Sequence, residues 1–247
     1  MKNHVQMTFY GSAVVVAFAA YLWASVTTPP NPVEWKNGDL IVQDTKIEPI
    51  LPVFMGDETG ATHIGIISVT EGGPMVIEAA ETVIETPLWE YIKRGKAKNY
   101  AAYRVPTLTP EQAEAVVAMA RAQLGKPNDF FLDEARDQIY SSELVSMAYQ
   151  SVGIALGRTQ RLGKIIKEQS QVQSKFSGNW ASNKNCKRRY LDHEQCWDLV
   201  ARYEVITPAA IVSDEHVKLL FNSFKPLASP QVATSASADI PAPALRP

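Results

Sequence analysis

The chain has 247 residues, of which 46% are hydrophobic and 20% are charged, and its formal net charge is -2. This length provides one ordinary domain with short extensions, and the composition is typical of a globular protein with a core. The net charge gives no basic field that would hold a nucleic acid backbone. The one cationic cluster, residues 184–189, is expected to be a solvated surface stretch, so we do not expect nucleic acid as a partner.

The N-terminus carries an uncharged apolar run, residues 9–26, after Lys2 and His4. The run is slightly longer than a usual signal-peptide core and barely long enough to span a bilayer. An uncleaved anchor in the inner membrane and a cleaved signal peptide both fit it. Either one exports the rest of the chain, so we expect a periplasmic or otherwise extracytoplasmic protein. Residues 1–34 are therefore interpreted as a leader whose end, 27–32, is a proline-rich spacer.

The other end of the chain, residues 228–247, consists mainly of Ala, Ser and Pro and has almost no large apolar side chain. Such a segment cannot bury enough surface to fold, so a disordered tail is predicted. The working domain then covers residues 35–227. Within it, residues 159–192 are polar without a clear period, which indicates an insertion with some helix.

The first half of the domain is dominated by β-branched runs. Predicted strands cover residues 38–44, 63–69, 75–79, 82–85 and 100–105. The second and third of these flank a turn at 71–74 and are predicted to form a hairpin. Residues 87–92 are predicted to form a helical turn.

Helices are predicted in the second half. Thr109, Pro110 and Gln112 form a helix start with a cap, a first-turn proline and a capping box. This helix should run to about Leu124 and stop at Gly125.

A second helix should begin near Ser141. Residues 197–206 are predicted to return to the sheet, and residues 213–224 to form a last amphipathic helix. Strands followed by helices favour an α+β fold with an antiparallel sheet packed against helices.

His63 and Glu78 are the first candidates for chemistry. His63 opens a strand directly after a flexible loop, although a histidine in such a place is more often structural. Glu78 lies in an apolar run on the strand that should pair with the strand of His63. A carboxylate there is costly unless it is paired, and a cross-strand neighbour is close enough to orient the imidazole. An outward-facing Glu78 on the solvated side of the hairpin is the alternative.

A hydroxyl group lies at the predicted start of the second helix, where Tyr140 is followed by Ser141 and Ser142. The N-terminus of a helix has unpaired N–H groups that suit an oxyanion. Serine is also a favoured helix cap, and from spacing alone the capping role is the better explanation.

The two cysteines, Cys186 and Cys196, lie in a polar segment with neither a CxxC pair nor a Cys/His ligand set around them. Outside the cytoplasm, a disulfide closing this small loop is the natural expectation, and two free thiols are the alternative. No metal site is predicted, because His63 has no second histidine near it at ligand spacing.

A series of short motifs resembles a known family. They are Gly38–Ile41, Thr62–Ile66, Val76–Ala79, Thr86–Leu88, Gly125–Asp129, Tyr140–Val145 and Val205–Pro208. In this order they resemble the YiiX/YebB-like circularly permuted papain-like hydrolases of the NlpC/P60 superfamily. Each motif is weak alone, but seven in sequence across most of residues 35–224 are fairly specific.

The resemblance implies a role for each candidate. His63 would be the catalytic base, Glu78 would orient it, and Ser141 stands where the family has its nucleophilic cysteine. Tyr140 would line the site and assist the oxyanion, and Asp129 matches an acidic position in the loop before the nucleophile. Both would then contact the substrate.

The serine is a departure from the family pattern, because a helix dipole and an imidazole can hold a thiolate but cannot ionise a serine in the same way. An engineered Cys-to-Ser substitution, a serine-using variant and a pseudoenzyme all fit. Neither Cys186 nor Cys196 can replace the nucleophile by sequence position.

The resemblance thus implies a hydrolase or acyltransferase that acts on amide or ester bonds of cell-wall peptides or lipid-linked acyl groups. No metal or organic cofactor is required. A catalytically inactive module that binds a cell-wall or lipid ligand, and an interbacterial toxin domain with an immunity partner, are the alternatives.

Overall fold

The computed structural model describes residues 32–45, 62–130, 132, 137–168 and 180–224, with no side chains described for 166–168. Most of the predicted leader and the whole predicted tail lie outside these residues. Among the helices of the described ranges, none has the length and apolar character needed to cross a bilayer.

Six strands form one antiparallel sheet in the order β4-β3-β2-β1-β5-β8. They are β1 (Leu40–Thr45), β2 (His63–Thr70), β3 (Gly73–Ala79), β4 (Val83–Pro87), β5 (Gly95–Arg104) and β8 (Lys218–Asn222). A separate two-stranded ribbon pairs β6 (Gln160–Arg161) with β7 (Glu204–Val205).

The helices of the described residues include α1 (Leu88–Arg94), α2 (Pro110–Arg121), α3 (Ser141–Gln150), α4 (Leu162–Glu168), α5 (Lys184–Arg188), α6 (His193–Val200) and α7 (Pro208–Val212). One 3₁₀ turn covers Trp180–Ser182. The predicted α+β class with an antiparallel sheet is confirmed.

Apolar side chains cover both faces of the sheet. Alternate residues of β2 and β3, including Ile64, Ile66 and Ile77, pack with α2 and α3 on one face. The residues between them, including Ile67 and Val76, pack with α1 on the other face. Since side chains of a strand alternate between faces, each strand contributes to both layers.

The start of α2 was predicted correctly. The Thr109 hydroxyl caps the helix by accepting a hydrogen bond from the Gln112 backbone N–H. The Gln112 side-chain oxygen in turn accepts one from the Thr109 backbone N–H. The helix ends at Arg121 rather than near Leu124, and Gly125 follows with a φ of 85°. The helix predicted near Ser141 is also present.

The last predicted helix, residues 213–224, is wrong. Lys218–Asn222 forms the edge strand β8, which pairs with β5. Leu219 and Leu220 are 49% and 36% exposed, so no apolar helical face is buried there. A run this short fits a helix and a strand equally well, and pairing with an open sheet edge decides between them.

The predicted return of residues 197–206 to the main sheet is also wrong. The helix α6 begins after a capping box formed by Asp192 and Gln195 and extends through the first part of this segment. Only Glu204–Val205 is extended, and it pairs with Gln160–Arg161 in the separate ribbon. The predicted insertion, 159–192, therefore contains the first strand of this ribbon, α4 and α5.

Candidate active site

His63 and Glu78 are brought together by the register of two neighbouring strands. The strands β2 and β3 pair with Ile66 opposite Ile77, and continuing this register puts Gly65 opposite Glu78. His63 and Glu78 are then diagonal neighbours on one face of the sheet, within reach of each other's side chains. The His63 Nε2 atom lies 2.8 Å from the Glu78 Oε2 atom.

Gly65 leaves room for this arrangement. A Cβ atom at this position would overlap a methyl group of Val76, lie 3.1 Å from the Ile77 carbonyl oxygen and 3.6 Å from the Glu78 Cβ atom. Because Gly65 has no side chain, β2 and β3 can approach closely at the point where the His63 and Glu78 side chains meet.

Glu78 is a buried, fully paired carboxylate with 1% exposure. Its second oxygen, Oε1, accepts a hydrogen bond from the Thr86 hydroxyl at 2.5 Å and another from the Arg94 guanidinium. Burial acts to raise the pKa of Glu78, but the hydrogen bond and charge of His63, the Thr86 hydroxyl and the Arg94 charge outweigh it, so the pKa lies below its ordinary value. Glu78 is therefore ionised at neutral pH.

The aromatic ring of Tyr91 contacts two of the three partners of Glu78. It stacks on the His63 ring with centroids 5.9 Å apart, and the Arg94 guanidinium carbon lies 5.7 Å from its centroid. Burial, and then the charge of Glu78, raise the pKa of Tyr91 well above its ordinary value. Its neutral hydroxyl donates to the Ile41 carbonyl oxygen at 3.3 Å.

The hydrogen bond to Glu78 determines which nitrogen of His63 can act as a base. An ionised carboxylate only accepts, so the neutral ring carries its proton on Nε2. The Nδ1 atom then keeps its lone pair. The His63 side chain is 14% exposed, so the ring lies at the border between the core and the solvent.

Ser141 is the first residue of α3 and is 5% exposed. The N-cap position belongs to Tyr140, and no side chain caps the helix. The role of Ser141 as a helix cap, which spacing alone favoured, is therefore wrong. By contrast, the side chains of Thr109, Asp192 and Thr207 cap α2, α6 and α7.

Hydrogen bonds from the segment before α3 connect the start of α3 to the end of β3. The Asn128 side chain donates to the carbonyl oxygens of Ala79 and Ala80, at 3.0 and 2.5 Å. The backbone of Ile139 donates to the Pro127 carbonyl oxygen at 3.0 Å. Ser141 follows two residues later, so it begins its helix near the sheet end at which β2 starts.

Two predicted substrate contacts lie in the same region. The Tyr140 hydroxyl accepts a hydrogen bond from the Ile206 backbone at 3.1 Å and is mostly buried. Asp129 is 2% exposed, and its backbone donates to the Ile139 carbonyl oxygen. In the described residues, the Ser141 hydroxyl forms no hydrogen bond with the His63 ring, whose partner is Glu78.

Sequence patterns gave no role to Thr86, Tyr91, Arg94 or Gln43, although all four lie around His63 and Glu78. Gln43 is opposite His63 in the β1–β2 register and is 1% exposed. Its Oε1 atom has no hydrogen-bond partner. The position of Gln43, a polar residue within the predicted strand 38–44, was the feature of the sequence that could have indicated its place in the site.

Cys186 and Cys196 form a disulfide with Cα atoms 5.3 Å apart, and the described residues contain no free cysteine. The disulfide joins α5 to α6. The described part of the chain contains no group of three His, Cys, Asp or Glu side chains that could hold a metal ion.

Comparisons with known proteins identify the family and the fold. The chain is 29% identical over 185 residues to the uncharacterised protein YiiX of Escherichia coli K12, covering 74% of this chain and 85% of that protein. The crystal structure of the metalloprotein YiiX from Escherichia coli O157:H7 matches with a TM-score of 0.67 and 24% identity, covering 78% of this chain and 100% of that one. Residues 34–221 match the profile of the permuted papain-like amidase enzymes, the YaeF/YiiX C92 family. The chain therefore belongs to the permuted papain-like amidase family.

Proposed function

We propose that the protein is an extracytoplasmic hydrolase or acyltransferase that cleaves amide or ester bonds through a covalent intermediate. Ser141 would be the nucleophile, His63 the general base and Glu78 the residue that orients the base. No metal or organic cofactor takes part in the proposed steps.

The hydrogen bond between His63 and Glu78 carries the proposal. A buried carboxylate that fixes the imidazole tautomer is the supporting half of a nucleophile-base-carboxylate triad. Glu78 is itself held by Thr86 and Arg94, so the carboxylate that orients the ring is fixed in place. This degree of pre-organisation exceeds what packing a histidine would require.

The proposed chemistry gives each of these residues one role. The Ser141 oxygen attacks the carbonyl carbon while Nδ1 of His63 takes the hydroxyl proton, and the carbonyl oxygen becomes an oxyanion. The backbone N–H groups of Ser141 and Ser142, at the start of α3, would stabilise this charge. The proton then passes to the leaving amine or alcohol, and water, deprotonated by His63, releases the acyl group from Ser141.

The sequence and the disulfide support a location outside the cytoplasm. Disulfides persist in oxidising compartments and are rare in the cytosol, and Cys186 pairs with Cys196. The apolar run at residues 9–26 would export the domain. The family resemblance implies cell-wall peptides and lipid-linked acyl groups, so we propose them as substrates.

A second candidate is a catalytically inactive module that binds such a ligand in the same place. Two observations favour it: serine occupies the nucleophile position, and its hydroxyl is not bonded to His63. The module would bind ligand without turnover.

The test is hydrolysis of peptidoglycan fragments and acyl-lipids by the full chain and by variants at the site. We expect Ser141→Cys to hydrolyse at least one substrate, Ser141→Ala to hydrolyse none, and His63→Ala to abolish the activity of Ser141→Cys. Ser142→Ala is the matched control, since the neighbouring Ser142 hydroxyl is fully buried without a partner.

Turnover by the protein with Ser141 unchanged would show a true serine enzyme. Ligand binding without turnover by any folded variant would favour the binding module. Activity that survives Ser141→Ala and His63→Ala would contradict both assignments.

A further inference from the structure

The turn between α5 and α6 carries an unusual residue at its tip. The backbone N–H of Leu191 bonds to the Cys186 carbonyl, and that of Tyr190 bonds to the Lys187 carbonyl. This pair of bonds defines a Schellman motif, in which the residue after the helix cap adopts the left-handed conformation. That residue is Tyr190, with a φ of 55°.

Glycine normally occupies this position because it adopts the left-handed conformation without steric cost. A tyrosine there is disfavoured by its Cβ atom. The fold gains nothing in return, since Tyr190 is 95% exposed. A disfavoured residue whose ring contacts almost nothing indicates a role outside the fold.

Four cations lie close to Tyr190 in the sequence. Lys184, Lys187, Arg188 and Arg189 are all exposed on α5 and its cap. The nearest carboxylates on α6 are Asp192, whose oxygen caps that helix, and the exposed Glu194. We call residues 184–196 the basic hairpin. Its tip is cationic although the whole chain has a net charge of -2.

The basic hairpin is rigidly attached to the domain. The buried Cys186–Cys196 disulfide joins its two helices. The Asn185 side chain donates a hydrogen bond to the Tyr203 hydroxyl at 3.1 Å. Ile206 lies three residues after Tyr203, and its backbone N–H donates to the Tyr140 hydroxyl. The hairpin is thereby connected to the residue next to Ser141.

We propose that the basic hairpin docks the protein on a membrane surface that contains anionic phospholipids. The four cations would bind the headgroup phosphates, and the Tyr190 ring would insert at the level of the headgroups. Tyrosine suits this layer because its ring is apolar and its hydroxyl is polar. The docking does not depend on the proposed chemistry at Ser141.

The observations favour a lipid surface over other partners. A protein interface has an apolar centre, whereas Tyr190 is the one exposed large apolar side chain of the basic hairpin. A nucleic acid backbone requires cations spread along an extended surface, whereas these four lie on one five-residue helix and its cap. A cluster of four cations beside one aromatic ring matches a polybasic lipid-binding segment.

The test is co-sedimentation of the full chain with vesicles of phosphatidylcholine alone and of phosphatidylcholine and phosphatidylglycerol in equal parts. The measured quantity is the gain in partition coefficient on adding phosphatidylglycerol, since any contribution of the leader is common to all variants. The combined variant Lys187→Gln, Arg188→Gln and Arg189→Gln should lose roughly a hundredfold of this gain, about fivefold for each cation.

Tyr190→Gly separates docking from folding. It should reduce the gain severalfold while its melting temperature equals or exceeds that of the natural protein, because glycine relieves the left-handed conformation. The matched charge control is Lys36→Gln, Lys93→Gln and Lys96→Gln, three exposed lysines elsewhere, which should change the gain less than about twofold.

Three results would overturn the proposal. One is an unchanged gain in the hairpin variants, and another is an equal loss in the charge control. The third is release from the vesicles by inorganic phosphate at constant ionic strength, which would indicate a site for free anions instead of a membrane surface. Tests of hydrolysis at Ser141 are independent of all three.

Discussion

Replacing Glu78 with glutamine keeps the shape of the side chain and removes the charge on which the site depends. In the natural protein, Glu78 accepts hydrogen bonds from His63, Thr86 and Arg94 while 1% exposed. A hydrogen bond to a charged group contributes about 1.5–3 kcal/mol, and glutamine keeps an oxygen for Thr86 and Arg94. We therefore expect Glu78→Gln to lower the free energy of unfolding by about 2–3 kcal/mol.

The same change should reverse the tautomer of His63. The glutamine amide nitrogen would face Nε2, which must then accept, so the ring proton moves to Nδ1 and the base loses its lone pair there. In a triad with the wrong tautomer, kcat falls by about 10⁴-fold. Nitrogen-15 NMR of the imidazole distinguishes the two tautomers directly, whether or not a substrate is known.

The pH dependence has a definite sign. The pKa of Glu78 is lowered in the folded protein from an ordinary value of 4.5. Its contribution to stability is then fully present above that value and is lost as the pH falls through the lower, folded-state pKa. Urea unfolding from neutral to acidic pH should show this acid loss in the natural protein and a smaller one in Glu78→Gln.

The reasoning would be refuted if Glu78→Gln unfolded within about 0.5 kcal/mol of the natural protein at neutral pH, the range of an ordinary surface substitution. It would be refuted equally if the His63 proton stayed on Nε2.

Three further changes have definite expected outcomes. Gly65→Ala should lower the free energy of unfolding, measured in urea, by about 1–3 kcal/mol, because the added Cβ atom would overlap β3. The control Gly72→Ala, whose Cβ atom would have its nearest contact at 3.7 Å, should change it by less than about 0.5 kcal/mol. Equal effects of the two changes would show that the strand spacing at Gly65 is not tight. Replacing both Cys186 and Cys196 with serine should lower the free energy of unfolding by roughly 2–3 kcal/mol, because the unfolded chain gains the entropy of the open ten-residue loop. Thermal unfolding measures this loss, and an unchanged melting temperature would show that the disulfide adds no constraint. Tyr149→Phe should lower the free energy of unfolding by about 1–2 kcal/mol in the same experiment, because the Tyr149 hydroxyl donates to the buried carbonyl oxygen of Gly38. An unchanged stability would mean that another donor takes the place of this hydroxyl.

The pairing of His63 with Glu78 could be predicted from the sequence because it is a local property of a hairpin. Two β-branched runs and one short turn place both residues on neighbouring strands, and a carboxylate in an apolar run needs a partner. Thr86 and Arg94 could not be assigned in this way. Their contacts with Glu78 require the β3–β4 register and the position at which α1 ends.

The role of Ser141 came from the family resemblance, since spacing alone favoured a helix cap. The structure assigns the cap position to Tyr140, a residue with no capping side chain. The nucleophilic role of Ser141 stays a prediction.

Elements near the C-terminus were harder to predict because their pairing is distant in sequence. Residues 218–222 became a strand through contact with β5, more than a hundred positions away. By contrast, the capping box of Thr109 and Gln112 identified the start of α2 from the sequence alone, whereas the equivalent box of Asp192 and Gln195 was missed. Local capping signals were thus informative where hydrophobic period was ambiguous.

The most direct test of the proposed site uses Ser141→Cys. Both natural cysteines are held in the disulfide, so the introduced thiol is the one free thiol of the chain. Its rate of alkylation by iodoacetamide as a function of pH gives the pKa of the thiol. If Ser141 lies at a helix N-terminus within reach of His63, this pKa should lie well below the ordinary value of about 8.5 and return toward it in Ser141→Cys/His63→Ala. A thiol pKa at or above about 8.5 that does not respond to His63 would contradict the account.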